Sequence, residues 1–176
     1  MIPERGDFAV VSVAGRGGEL IGFGEKLCGN AFSEYQHAFI YTGGMRIEAE
    51  PGGARAVTMR QFETPGQLTL WSTGRIPLTD KQRSAICVAA RGCLGVGYSW
   101  LDYAAIGLHS KHLPAPGLRG YIASTHHLIC SQLCDQVYAD AGVHLFNDNR
   151  WPGFVTPAAL AARILESPDG TEGDPR

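Results

Sequence analysis

A thiol, an imidazole and a carboxylate together can break an acyl bond, and this chain carries all three in suggestive places. Cys130 stands near the start of ICSQLCDQVYADAG, where Cys130, Leu133, Cys134, Val137, Tyr138 and Ala141 recur at helical spacing. At a helix N-terminus, unpaired N–H groups and the dipole stabilise an anion, so a thiol there is a candidate nucleophile. With a helix start near Thr125, Cys130 falls at about the second turn and Cys134 one turn further on, where that effect has faded. Cys130 is therefore the better candidate. A thiol nucleophile needs a base, and the base needs a group that orients it. EYQHAFIYTGGMRIEAEPGG, residues 34–53, offers His37 as the base, with Glu48 and Glu50 as orienting carboxylates.

The elements that must position these groups are legible in the same stretch. HAFIYT and MRIEAE alternate as strands around Gly43-Gly44, a pair suited to a tight hairpin turn. A two-residue turn pairs Tyr41 with Arg46, Ile40 with Ile47, Phe39 with Glu48, Ala38 with Ala49 and His37 with Glu50. His37, Phe39, Glu48 and Glu50 then share one face, and His37 and Glu48 are diagonal neighbours about 7–8 Å apart at the backbone. Spacing does not choose between the two glutamates. By spacing alone, a solvated His and Glu on a strand edge is the commoner arrangement.

The remaining chain reads as α+β. GDFAVVSVAG is a first strand, GGELIGFGEKLCGN a weak helix, and ARAVTM and LTLWST two further strands. LTDKQRSAICVAARGCLG is a helix with Thr79 as N-cap, Gln82 completing a capping box, and Ile86, Cys87, Ala90 and Leu94 on one face. A second helix follows GVGYSW, KHLPAPGLRG is a loop, and Thr156-Pro157 opens a last short helix through Leu165. Strands grouped before helices predict an antiparallel sheet packed against helices. Residues 1–166 are expected to form a single domain and residues 167–176 a disordered tail.

Composition bounds the function. The chain has 176 residues, 44% of them hydrophobic, and a net charge of −2, with no basic cluster to attract nucleic acid. No apolar run reaches the roughly 20 residues of a membrane helix, so no integral membrane segment is expected. The opening MIPERGD-FAVVSV lacks a signal-peptide pattern, which predicts a cytoplasmic protein. Five cysteines, Cys28, Cys87, Cys93, Cys130 and Cys134, make an odd number and read as reduced thiols, most of them small core hydrophobes.

These residues resemble a family. HAFIYTGGMRIEAEPGG is similar to the H-x-x-I-Y-x-G and I-E-A-x-P-x-G segments of permuted papain-like (YiiX/YebB-type) cysteine hydrolases of the NlpC-like superfamily. ICSQLCDQVYADAGVHL resembles their C-S-E-L and Y-x-x-A-G helix, GDFAVVSVAG their first strand, and VTPAAL their S-P-A-D-L. The matches span most of residues 6–162 in the family's order, with the histidine strand preceding the cysteine helix. The resemblance implies a circularly permuted papain-like (NlpC-like) fold with Cys130 as nucleophile, His37 as general base and Glu48, in preference to Glu50, as its orienting partner. GVGYSW is similar to a G-V-P-Y-x-W stretch of unpermuted relatives, which implies that Tyr98 helps bind the substrate carbonyl oxygen. Tyr35-Gln36, Gln132 and His126-His127 depart from the family pattern.

The activity implied is a cysteine peptidase or amidase acting on cell-wall peptides (peptidoglycan) or related amides, through a thioester and without a cofactor. Since a cell-wall substrate lies outside the cytoplasm, a phage-encoded or non-classically exported protein fits equally. The alternative is a thiol acyltransferase or esterase on acyl substrates, as in the lecithin:retinol acyltransferase-like branch, whose membrane anchor is not expected here and whose Asn-Cys-Glu-His signature these 176 residues do not contain. From another class, His126, Cys130 and Cys134 lie four apart and could hold zinc with His109 or His112. A catalytically dead binding domain would leave Cys130 unreactive.

Overall fold

The alternation of HAFIY and MRIEAE about two glycines closes the hairpin that the sequence predicts. In the computed structural model, which describes residues 2–12, 34–50, 52–59, 67–97, 129–147 and 155–166, β2 (His37–Tyr41) pairs antiparallel with β3 (Met45–Glu50). Ile40 faces Ile47 and Tyr41 faces Arg46, the register predicted. Gly43 and Gly44 take φ values of +88° and +92°, which side-chain-bearing residues resist, and Thr42 N donates to Met45 O at 2.8 Å.

β1 (Phe8–Val11), β4 (Gly53–Thr58) and β5 (Thr69–Trp71) complete a five-stranded antiparallel sheet in the order β4-β3-β2-β1-β5. The hairpin strand that begins at His37 thus lies in the middle, held on both sides. Period-two alternation divides the sheet's residues. Phe8, Val10, Ala38, Ile40, Ile47 and Ala49 join a core with the helices, while Ala9, Val11 and Phe39 form a second buried cluster with Met59 and Trp71. Each large side chain fully buried there contributes about 1.5–3 kcal/mol.

Three helices supply the other half of the core. α1 (Asp80–Gly92) starts on the predicted capping box: Thr79 Oγ1 accepts from Gln82 N at 3.2 Å and Gln82 Oε1 accepts from Thr79 N at 2.9 Å. Arg83, Ile86, Cys87 and Ala90 are buried, but Leu94, predicted to extend this face, lies beyond the helix end and is exposed. The helix stops short of Leu94 because Cys93 N and Leu94 N turn back to Ala90 O and Arg91 O, at 3.1 and 3.2 Å, before Gly95 redirects the chain at φ +81°. α2 (Cys130–Asp140) packs on β2, β3 and α1. α3 (Pro157–Leu165) has Thr156 as N-cap, accepting from Ala159 N at 3.1 Å, with proline in its first turn, as predicted.

A polar staple that sequence patterning does not reveal ties helices to the sheet. Arg83 Nη1 donates to Asp7 Oδ1 at 2.6 Å, Thr73 Oγ1 to Asp7 Oδ2 at 2.7 Å, and Tyr138 from α2 to Gly6 O at 2.7 Å. It lies at the Phe8 end of β1, whereas His37 pairs with Val11 at the other end. The architecture is mixed α and β, with a five-stranded antiparallel sheet and helices packed against it. The weak helix expected between Gly17 and Asn30, the second helix after GVGYSW and the 167–176 tail lie outside the described residues.

Candidate active site

His37 opens the middle strand of the sheet, so its backbone is fixed by pairing to Val11 on β1 and by the hairpin to β3. Its ring reaches diagonally to the neighbouring strand, where His37 Nε2 lies 2.8 Å from Glu48 Oε2. Glu50, the alternative carboxylate, instead pairs with Arg55. The structure therefore gives the histidine's carboxylate partner as Glu48.

Glu48 is fully buried, a position costly for a carboxylate unless its lone pairs are satisfied. Two arginines satisfy them. Arg55, opposite Glu48 on β4, donates from Nε to Oε1 at 3.0 Å, and Arg46 donates from Nη2 to Oε1 at 3.2 Å with its Nε 3.1 Å from Oε2. The buried Arg46 guanidinium also lies over the Phe39 ring, 5.6 Å from its centroid. Burial alone would raise the Glu48 carboxyl, but His37, then Arg46 and Arg55, hold it below its usual 4.5.

The thiol arrives from the helical side. α2 begins at Cys130 itself, with Ile129 as its extended N-cap, not at about Thr125. Cys130 is thus the first helical residue, where the dipole acts most strongly, rather than a second-turn residue. Isoleucine offers no capping oxygen, and the start is secured otherwise: Gln132 Oε1 accepts from Ile129 N at 3.1 Å, and Ser131 Oγ donates to Val155 O at 2.7 Å. This explains the glutamine after Cys-Ser, since an amide oxygen caps the N-terminal N–H as a glutamate would.

Strand start and helix start meet. His37 is hydrogen-bonded to Cys130 as well as to Glu48. With Nε2 facing Glu48, Nδ1 is the ring nitrogen left to face the sulfur. Burial lowers the imidazole, but the charge and hydrogen bond of Cys130, followed by those of Glu48, push it from 6.5 up to about 10. Such a histidine is protonated at neutral pH, and the attraction is mutual: an imidazolium beside the sulfur favours a thiolate. Cys134, one turn deeper and wholly buried in the core, is pushed well above 9 by burial, and Cys87 and Cys93 are also raised by burial.

The three residues singled out for chemistry, Cys130, His37 and Glu48, are thus brought together, from a helix and two neighbouring strands. Tyr98, His126, His127, His109 and His112 lie outside the described residues. Sequence reasoning missed Arg46 and Arg55. Alternation places Arg46 on the face of Glu48, and pairing ARAVTM with MRIEAE would have set Arg55 opposite Glu48; that pairing was the signal to follow. Donor atoms of His37, Glu48 and Glu50 lie within 4.8 Å of one another, but two guanidiniums already occupy the carboxylates and their charges oppose a cation. Cys134, packed in an apolar core, is also poorly placed as a zinc ligand.

No protein-family model matches the chain, and no curated protein sequence matches it. No helix among the described residues is long and apolar enough to cross a membrane.

Proposed function

We propose that this chain is a cysteine-dependent hydrolase of amide bonds, built on a circularly permuted papain-like fold and working through Cys130, His37 and Glu48. The observation that carries the reading is a single imidazole bonded on one side to a thiol at a helix N-terminus and on the other to a buried carboxylate. A structural histidine has no need of either partner in this order, whereas thiol catalysis needs both.

The Cys130 thiolate attacks the acyl carbon, and the carbonyl electron pair moves onto oxygen beside the helix-start N–H groups. Collapse of the tetrahedral intermediate breaks the C–N bond, and the leaving amine takes the His37 proton, giving a thioester. Water then attacks the thioester, passing one proton to His37; the C–S bond breaks, releasing the acid and restoring thiolate and imidazolium. Glu48 keeps the ring aligned and stabilises its charged form. Tyr98, by the family resemblance, is a candidate second donor to the oxyanion.

By that resemblance, cell-wall peptides are the first substrates to test. Purified protein is assayed on muropeptides, amino-acid amides and acyl esters, with Cys130→Ala as control and mass spectrometry to trap the thioester. Amide turnover lost in Cys130→Ala is the expected result. Turnover only of acyl esters, or transfer to an acceptor other than water, would move the chain to the acyltransferase class; no turnover of any class would sink the enzyme reading.

A further inference from the structure

Glu48 sits among more positive charge than the orientation of a histidine requires. Among the described residues, the charged groups around it are Arg46 and Glu50 on its own strand, Arg55 on β4 and His37 on β2, with Cys130 of α2 on the far side of the His37 ring. Arg55 engages only one of the carboxylate oxygens: its Nε and Nη2 both lie 3.0 Å from Oε1. Oε2 is met instead by His37 Nε2 at 2.8 Å, with Arg46 Nε 3.1 Å from the same oxygen. Glu50 pairs with the same guanidinium and so fixes Arg55 over Glu48 from the other side.

We propose that Arg55 is a positioning residue that acts through Glu48, holding the carboxylate ionised and turned so that Oε2 meets His37 across the acidic part of the working pH range. The inference rests on the hydrolase reading above. A carboxylate this deeply buried takes up a proton readily when left with one histidine, because burial penalises its charge. A protonated Glu48 would keep its place but lose the charge that stabilises imidazolium, and with it the thiolate on Cys130. An arginine stays charged at every pH at which the protein is folded, so it holds Glu48 ionised where histidine and thiol are themselves titrating. Arg46 contributes from the buried side, but Arg55, whose side chain is 52% exposed, can be replaced without opening the core.

The test is the pH dependence of Cys130 alkylation by iodoacetamide in the full chain, mapped by peptide mass spectrometry. Arg55→Gln should move the acid limb up by about one pH unit, about tenfold in rate on that limb. Arg55→Lys should recover part of the shift. In a Glu48→Gln background, Arg55→Gln should produce no further shift, since residues acting as one unit are non-additive. An Arg55→Gln protein that melts earlier but keeps the wild-type profile would reduce Arg55 to a structural ion pair and overturn the proposal. Equal shifts with and without Glu48 would overturn it too, because Arg55 would then act on the thiolate directly. Wild-type alkylation no faster at Cys130 than at Cys134 would overturn the hydrolase reading itself, and this inference with it.

Discussion

His37 Nε2 lies 2.8 Å from Glu48 Oε2, although the two are not cross-strand partners. Ile40 faces Ile47, so the ladder continued by one step sets Phe39 opposite Glu48 and places His37 on the diagonal. A glutamate spans that diagonal where an aspartate falls short. The bond is therefore a consequence of hairpin register: a one-residue slip would turn Glu48 into the apolar core that Ile47 and Ala49 fill and turn those two out of it.

Removing the carboxylate should be costly in a way that separates charge from shape. Glu48→Ala leaves Arg46 buried without the anion it pairs with, a loss of about 3–5 kcal/mol for breaking a buried ion pair from one side. Glu48→Gln keeps the volume and one acceptor oxygen and should cost less. Urea unfolding measures both, and equal stability of the Ala variant and wild type would contradict the buried network.

Thiol chemistry should be confined to one of the described cysteines. Cys87, Cys93 and Cys134 are raised by burial, Cys134 most; Cys130 is buried too, but it stands at a helix start against His37. At pH 7 Cys130 should alkylate on the order of tenfold faster than the other three, and His37→Ala should abolish the difference. Labelling followed by peptide mapping reads this out; uniform rates in the folded protein would contradict the arrangement.

Stability should fall on both sides of a narrow optimum. Glu48 is held below 4.5, so its contribution is full above that value and is lost as pH falls through its folded value. His37 is raised to about 10, so its contribution is full below 6.5 and lost as pH climbs towards 10. The two shares are jointly complete between pH 4.5 and 6.5. Urea midpoints across pH 3 to 10 measure the curve, and Arg55→Gln should flatten its acid side, because Glu48, having lost one of the charges that hold it ionised, titrates nearer its unfolded value.

Much of this site is legible in the sequence, for a physical reason. Period-two alternation and a Gly-Gly turn specify a hairpin locally, and Thr79 with Gln82 or Thr156 with Pro157 specify a helix start from a few neighbouring residues. Cys130 was harder to place because its helix begins on Ile129, which carries no capping oxygen, and the actual signal was Gln132 reaching back three residues. Arg55 and the Asp7–Arg83–Thr73 staple depend on contacts between distant segments, which periodicity does not encode. The choice of Glu48 over Glu50 needed the family resemblance in the sequence and Arg55's hold on Glu50 in the structure.

The entry to β4 gives a last prediction, because Gly53 carries two constraints at once. Its φ is +112°, a region essentially closed to side-chain-bearing residues, and an added Cβ would lie 2.8 Å from Val96 O. That carbonyl accepts the neighbouring Ala54 N–H at 2.7 Å, so the clash would push residues 95–97 off the strand two positions before Arg55. Gly52, with φ +109° but nothing within 4 Å of its added Cβ, carries the backbone constraint alone. Gly52→Ala should therefore cost about 1–3 kcal/mol for backbone strain, and Gly53→Ala more, with a slower Cys130 alkylation as Arg55 and Glu48 shift. Urea unfolding and thiol labelling of the two variants side by side measure this. Equal losses would mean that the Val96 contact yields without cost and that β4 does not transmit its position to the site.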